Sequence, residues 1–251
     1  MADGGIILQQ LQRALTIAKK DIRVYYSKGP VVIFGILFPA FLFLSFVIGR
    51  NLSINFMMPG LLGMILFFTA TAISPAVAPW ETQARTLERL MSCPVTIPTI
   101  IFGDVLASFS FGVLISLIPL VVGLFIGISI TQPLILALGL ILAAFCFSSL
   151  GLIFSATPAS TPSTIMMLSS MVKFPVVFIS GIFIPLNELP QWGRAIAFIS
   201  PLTYFTDIAR HSLQQSGYFP VVVDIGALLG FTILFLLLAM KLHQRTMPRR
   251  I

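Results

Sequence analysis

The amino-acid sequence predicts an all-α membrane protein with about six transmembrane helices. Of its 251 residues, 57% are hydrophobic and only 9% are charged, whereas a soluble domain carries about 25% charged residues. Uncharged stretches follow one another along the chain, and several are long enough to cross about 30 Å of hydrocarbon. These observations indicate that most of the surface faces lipid. We expect residues 1–251 to form a single transmembrane domain with no soluble enzymatic domain.

The first segment, residues 5–28, has the pattern of an amphipathic helix. Its apolar side chains recur at steps of three and four residues, and basic residues occupy the other faces. The apolar positions are Leu8, Leu11, Leu15, Ala18, Ile22 and Tyr25. The pattern predicts a helix that lies in the membrane surface; the alternative is a helix that merely flanks the first span. No cleavable signal peptide is evident, and we expect the first apolar run to act as an uncleaved anchor.

Six runs have the length of membrane spans. We place them at residues 31–48, 58–78, 105–128, 134–154, 164–184 and 221–240. The third and fourth are separated by SITQP, residues 129–133, because one helix cannot fill the whole uncharged stretch. Residues 185–220 contain prolines, charges and apolar pieces that are too short to span. We expect these pieces to form re-entrant half-helices on the outer side.

The distribution of Lys and Arg predicts the orientation of the chain. With the N-terminus inside, eleven of the 15 basic residues fall in cytoplasmic segments: Arg13, Lys19, Lys20, Arg23, Lys28, Arg85, Arg89, Lys241, Arg245, Arg249 and Arg250. Only Arg50, Arg194 and Arg210 fall outside. This asymmetry favours a multi-pass protein of a prokaryotic inner membrane with both termini in the cytoplasm. The net charge of +7 therefore indicates topology rather than nucleic-acid binding.

The sequence contains no motif that would support catalysis. It has no G-x-x-x-x-G-K-[ST], G-x-S-x-G or H-E-x-x-H pattern. Its two histidines, His211 and His243, and its two cysteines, Cys93 and Cys146, lack the spacing of a metal site or a disulfide framework. We expect no catalytic residue, no metal and no cofactor on this chain.

The charged block at residues 81–104 is predicted to be a cytoplasmic loop. It contains a short helical stretch, residues 86–91, which we expect Pro94 and Pro98 to end. The stretch is either a plain amphipathic connector or a docking element for a soluble partner. The order of residues, E…TLERL…CPV, resembles the cytoplasmic loop that carries the coupling helix in type-2 ABC-transporter permeases.

A second segment, SGIFIPLNELPQWGRAIAFISPLTYFTDIAR, resembles the outer region of the same family. In that region a span ends in Ser-Gly-x-x-x-Pro, two short re-entrant helices follow, and a Pro-Leu-Thr-Tyr run precedes an Arg. The matching positions are Ser180, Gly181, Pro185, Pro190, Trp192, Ser200, Pro201, Leu202, Thr203, Tyr204 and Arg210. The chain departs from the family at Arg85, because members commonly have Gly before Thr-Leu-Glu, and this leaves the start of the coupling helix open.

The resemblance covers nearly the whole chain and implies the transmembrane subunit of an ATP-driven exporter. Two such subunits, expected as a homodimer, would form the pathway. Two separate ABC ATPase subunits would bind ATP and Mg²⁺ and grip the cytoplasmic loops, so this chain would not itself be an ATPase. The implied coupling residues are Glu81, Arg85, Thr86, Leu87, Glu88, Arg89 and Leu90.

Lys173 is the one charge near the middle of a predicted span. A charge at that depth costs about 2.5–3.5 kcal/mol, so it should face a polar cavity, a partner subunit or a carbonyl cluster. We expect it in the translocation path or at a subunit interface; the alternative is snorkelling or a shifted span. The 23 Phe against 4 Tyr favour a hydrophobic or amphipathic substrate, such as a drug, lipid or lipid-linked glycan, although most Phe would simply face lipid.

Two other classes of membrane protein stay open at this point. An ATP-independent secondary transporter or channel would show several intramembrane ionisable groups or inverted repeats. This chain offers one such lysine and no clear repeat. A membrane-embedded enzyme is disfavoured by the missing catalytic groups.

Overall fold

The computed structural model describes residues 2–26, 33–48, 54–157 and 161–249. All regular elements in these ranges are helical and none is a β-strand, which confirms the all-α class. We number the α-helices in chain order: α1 Ala2–Asp21, α2 Phe38–Val47, α3 Ile54–Ala70, α4 Val77–Gln83, α5 Thr86–Ser92, α6 Ile97–Phe125, α7 Pro133–Ser155, α8 Pro162–Ile179, α9 Gln191–Ala197, α10 Pro201–Gln214 and α11 Val221–Thr246.

Five helical segments within the described residues are long and apolar enough to cross a membrane. They are Asn55–Gln83, which joins α3 to α4, and the helices α6, α7, α8 and α11. These five correspond to the second to sixth predicted spans. In the first predicted span the chain is helical from Ile33 to Val47, where α2 ends. Residues 31 and 32 lie outside the described ranges.

Helix α6 begins at Ile97, earlier than the predicted residue 105. The side chain of Thr96 caps it by accepting a hydrogen bond from Thr99 N at 3.4 Å, and Pro98 lies in the first turn, where its missing N–H has no cost. The prediction that Pro98 ends the loop helix was therefore wrong. As a result Asp104 lies inside a long helix rather than in a loop.

The second span is interrupted between α3 and α4. The Thr69 hydroxyl donates to Ile65 O and the Thr71 hydroxyl donates to Phe67 O, each at 2.6 Å. Pro75 has no N–H with which to continue the helical ladder. Backbone carbonyls near the end of α3 are thereby left for partners outside the helix.

The two ends of the chain meet at the same end of the helical bundle, which we call the terminal end. One buried apolar cluster there joins Ile17 of α1, Ala78 of α4, Leu87 of α5, Ile100 of α6 and Met247 after α11. The loop that carries α5 therefore packs directly between the N-terminal helix and the start of α6.

Helix α1 lies along α6 with a side made of two alanines and an isoleucine. Ala14, Ile17 and Ala18 are buried, and Gly103 of α6 permits the close approach. The leucines of the predicted apolar face, Leu8, Leu11 and Leu15, remain 57%, 44% and 54% exposed. The amphipathic helix thus has a protein-facing side and a separate exposed leucine row, and its location in the membrane surface stays a prediction.

Two short helices, α9 and α10, fill the opposite end of the bundle. At seven and 14 residues they are too short to cross a membrane. Leu202, Phe205 and Ile208 of α10 are fully buried against α3, α7 and α11. Thr131 N donates to Ser212 O at 2.9 Å and ties the loop before α7 to α10. Short helices occur where predicted, while their entry into the membrane stays a prediction.

Candidate functional sites

The loop helix α5 presents a polar surface at the terminal end. It begins at Thr86, immediately after Arg85, whose backbone is left-handed with φ 53° and ψ 25°. Thr86, Glu88 and Arg89 are exposed, as is Arg85. Leu87 is 1% exposed and anchors the helix in the bundle. The arrangement leaves a short charged ridge that a soluble protein can reach.

Glu81 does not share that surface, although the sequence grouped it with the coupling residues. Its side chain is 2% exposed and accepts a hydrogen bond from Lys20, which also pairs with Asp21 at 2.9 Å. Asp104 is buried beside these groups. Leu90, another predicted coupling residue, is half-buried. The structure therefore brings six of the seven predicted residues to or under one ridge and places Glu81 behind it.

The charges around Lys20 fasten α1 to the loop region. Burial acts to lower the pKa of Lys20, but the negative charges of Asp21 and Glu81 together raise it above its ordinary value. Two further links join α1 to the loop and to the first turn of α6: Arg13 donates to Pro94 O in the loop, and Thr99 of α6 donates to Gln10 Oε1 at 2.7 Å. A movement of the α5 loop must therefore move α1 or break these bonds.

Lys173 lies on a cavity of about 360 Å³ between α2, α3 and α8. The residue is 7% exposed, and its ammonium donates to Thr71 O at 2.6 Å, just beyond the end of α3. The remaining lining is largely apolar: Phe38, Phe68, Ala72, Ser163, Met166, Met167, Ser170 and Phe174. The sequence predicted a polar cavity, a partner subunit or a carbonyl cluster, whereas Lys173 contacts one backbone carbonyl and borders a largely apolar cavity. Its role in a translocation path or at a subunit interface stays a prediction.

The outer motif is largely a scaffold at the opposite end. Ser180 Oγ lies 2.7 Å from Ser200 Oγ, and Arg210 donates to Gly181 O at 2.6 Å. Gly181 has φ 74°, which suits glycine. These bonds join the end of α8 to both ends of α10.

The other motif residues take several positions. Pro190 precedes α9 and Pro201 opens α10, while Tyr204 donates to Phe198 O at 2.8 Å. Pro185 lines an outer cavity of about 160 Å³ together with Arg210. Trp192 is 71% exposed and does not join the scaffold.

Sequence reasoning missed one cluster at this end. Asp207 and His211 of α10 and Asp224 of α11 bring their ligand atoms within 4.8 Å of one another. The spacing of Asp207 and His211, four residues apart on one helix face, is the signal that could have drawn attention to them. Asp224 is separated from them by a loop, so its arrival there depends on tertiary structure.

Comparison with known proteins identifies the family. The model of the family described as ABC-2 type transporter matches residues 12–213. The inner membrane transport permease YadH of Escherichia coli K12 is 27% identical over 76% of this chain and 75% of its own length. Nodulation protein J of Rhizobium meliloti is 30% identical over 65% of this chain and 63% of its own length.

A further relative is the probable multidrug ABC transporter permease YbhS of Escherichia coli K12, 25% identical over 70% of this chain but only 47% of its own length. The match to the family covers most of the chain and includes α5 and the outer motif. This chain therefore belongs to the ABC-2 type transporter family, as a multi-pass inner-membrane permease subunit that works with an ABC ATPase subunit.

Proposed function

We propose that this chain is the membrane subunit of an exporter, in which two copies form the pathway and two ATPase subunits dock on their α5 helices. The observation that carries the proposal is the α5 ridge. Its charged residues Arg85, Glu88 and Arg89 face outward, while Leu87 is buried among α1, α4 and α6. A force applied to the ridge by ATPase closure would therefore reach the spans through packed side chains.

We propose that the substrate is amphipathic, with an apolar body and an anionic head. The cavity beside Lys173 supports this: its Phe and Met side chains suit an apolar body. An ammonium has three N–H donors, and the bond to Thr71 O uses one of them. One relative is named as a probable multidrug permease, which also supports an apolar or amphipathic cargo.

The test uses the permease and its ATPase in proteoliposomes. In Glu88→Ala with Arg89→Ala, we expect ATP hydrolysis to continue while export falls about tenfold, because a lost coupling contact of about 1.4 kcal/mol gives that factor. Membrane insertion should be unchanged, since both side chains are exposed.

The matched control is Glu188→Ala with Arg245→Ala, which removes one negative and one positive charge at exposed positions outside α5 and its loop. It should export normally. Normal export from the α5 double variant would refute the coupling role of this helix, and substrate uptake in the opposite direction would refute export.

A further inference from the structure

The cluster of Asp207, His211 and Asp224 stands apart from the α5 ridge and from the Lys173 cavity. Asp207 is 2% exposed and Asp224 is 0% exposed, while His211 is half-buried. Asp207 and His211 lie one turn apart on α10, and Asp224 lies in the first turn of α11. Three ligating side chains from two helices therefore converge on one point.

The two carboxylates have unequal support. Asp207 accepts backbone hydrogen bonds from Tyr218 N at 2.9 and 3.0 Å and from Phe219 N at 2.8 Å. Both oxygens of Asp224 are buried and accept no hydrogen bond from the described residues. A buried carboxylate without a partner is costly, and a second carboxylate nearby increases the cost.

The surrounding cations do not balance these charges. The guanidinium of Arg210 is close enough to Asp207 for electrostatic attraction. Its hydrogen bond, however, goes to Gly181 O. Neither carboxylate forms an ion pair with His211 or another basic residue in the described part of the chain. A negative charge on Asp224 would therefore have no counter-charge among the described residues.

A hydrogen bond at one ring nitrogen orients His211, as is usual for histidines that bind a metal through the other nitrogen. His211 Nε2 lies 2.6 Å from Phe219 O, so the tautomer that donates to this carbonyl leaves the other ring nitrogen with a free lone pair. Gly217 lets the loop wrap around the ring, since a Cβ there would lie 1.9 Å from Nε2. The same loop also donates hydrogen bonds to Asp207, so it holds two of the three side chains in place.

We propose that Asp207, His211 and Asp224 bind a divalent transition-metal ion of the Zn²⁺ type, which joins α10 to α11. One imidazole nitrogen and two carboxylates are a ligand set that suits Zn²⁺. Asp207 also lines the 160 Å³ outer cavity, which gives water and the ion access to the site. This binding is separate from the proposed transport function and does not depend on it.

The experiment measures Zn²⁺ binding by calorimetry on the permease–ATPase complex, purified without a histidine tag and freed of metal with a chelator. We expect one Zn²⁺ per permease chain and a Tm that rises with Zn²⁺ concentration. Asp224→Asn and His211→Gln should each weaken binding about tenfold or more, because each removes one ligand. Glu188→Gln, an exposed carboxylate near the same cavity, should bind as the wild type does.

Two results would overturn the proposal. The first is no saturable binding by the wild type, and the second is unchanged binding by Asp224→Asn and His211→Gln. His211 is only half-buried, so His211→Gln keeps the test valid if Asp224→Asn does not fold.

Discussion

Lys173 is a buried charge beside the C-terminal end of α3, where backbone carbonyls have no N–H partner within their own helix. The last carbonyls of a helix have no N–H one turn further on, and the interruption after α3 leaves Thr71 O in that position. The Lys173 ammonium donates a hydrogen bond to Thr71 O at 2.6 Å. The same side chain also borders the apolar cavity. A structural role and a substrate-binding role are therefore compatible in one side chain, and they predict different effects of mutation.

Replacement of this charge should change selectivity. In Lys173→Met we expect transport of an anionic amphipathic dye to fall about tenfold, which corresponds to about 1.4 kcal/mol of lost binding, because the attraction to the head group disappears. Transport of a neutral analogue should change little, since the apolar wall remains. Uptake of both dyes into inside-out vesicles measures the ratio.

The matched control for that experiment is Ser170→Ala, which alters the wall of the same cavity but leaves its charge. It should not change the ratio between the two dyes. An equal loss of both dyes in Lys173→Met would show that the lysine acts only as a partner of the Thr71 carbonyl.

Arg85 explains how α5 begins without the glycine that is common in the family. A left-handed backbone costs a non-glycine residue about 1–2 kcal/mol, yet Arg85 adopts it with φ 53°. Its side chain is exposed, so the left-handed conformation creates no steric clash in the core. The helix start that the sequence left open is therefore at Thr86, as the family pattern implies.

At the scale of elements, the contact between α1 and α6 depends on a glycine. A Cβ at Gly103 would lie 2.8 Å from Ile17 Cβ and 2.9 Å from Ala14 O, which is a backbone atom that cannot rotate away. Gly103→Ala should therefore push α1 from α6 at a cost of about 1–3 kcal/mol. We expect a lower Tm and faster labelling of a cysteine placed at Ala14.

Two further variants decide whether the clash is the cause. Gly103→Ala with Ile17→Gly should recover part of the lost Tm relative to the sum of the single changes, because glycine removes both the Cβ and the Cγ2 of Ile17 that the new methyl would meet at 2.8 Å. Gly193→Ala, whose Cβ would meet Pro190 at an ordinary 3.5 Å, should have little effect. Strict additivity of the two changes would contradict the proposed contact.

The elements predictable from the sequence are those with strong local signals. Run length and hydropathy located five of the spans, and the Thr-Leu-Glu-Arg-Leu segment located α5. The start of α6 was misplaced because Asp104 was interpreted as a loop charge, whereas it is buried near Lys20, Asp21 and Glu81. Its neighbours Lys20 and Asp21 belong to α1 and Glu81 belongs to α4, so no local pattern in the sequence indicated that this charge would be buried.

The candidate sites were likewise predictable only where their residues are close together in the sequence. The α5 ridge is one continuous segment and could be predicted, and Lys173 was conspicuous as a lone charge in an apolar run. Its acceptor, Thr71 O, is a backbone group 102 positions away and leaves no trace in the composition. The Asp207, His211 and Asp224 cluster was missed because its third member comes from another helix.

At the scale of the whole molecule, the two ends of the bundle differ in chemistry. The terminal end holds α1, the α5 ridge and the basic tail, and the opposite end holds the short helices α9 and α10 with the Asp207 cluster. Lys and Arg are concentrated at the terminal end, and such an excess marks the cytoplasmic side. The charge distribution and the packing therefore agree on which surface an ATPase should meet.

The two native cysteines provide the test of this orientation. Cys93 follows α5 and is exposed, whereas Cys146 is buried in α7, so only Cys93 should react with a membrane-impermeant maleimide. We expect labelling in inside-out vesicles and none in intact cells, because the distribution of Lys and Arg predicts that the α5 loop faces the cytoplasm. In Cys93→Ser with Ser216→Cys the pattern should reverse, since Ser216 is exposed at the opposite end. Labelling of Cys93 from outside would show that the orientation is the reverse of the predicted one. The α5 helix would then lie on the side of the membrane that an ATPase cannot reach. Protection of Cys93 by added ATPase subunit would place the partner on the predicted ridge.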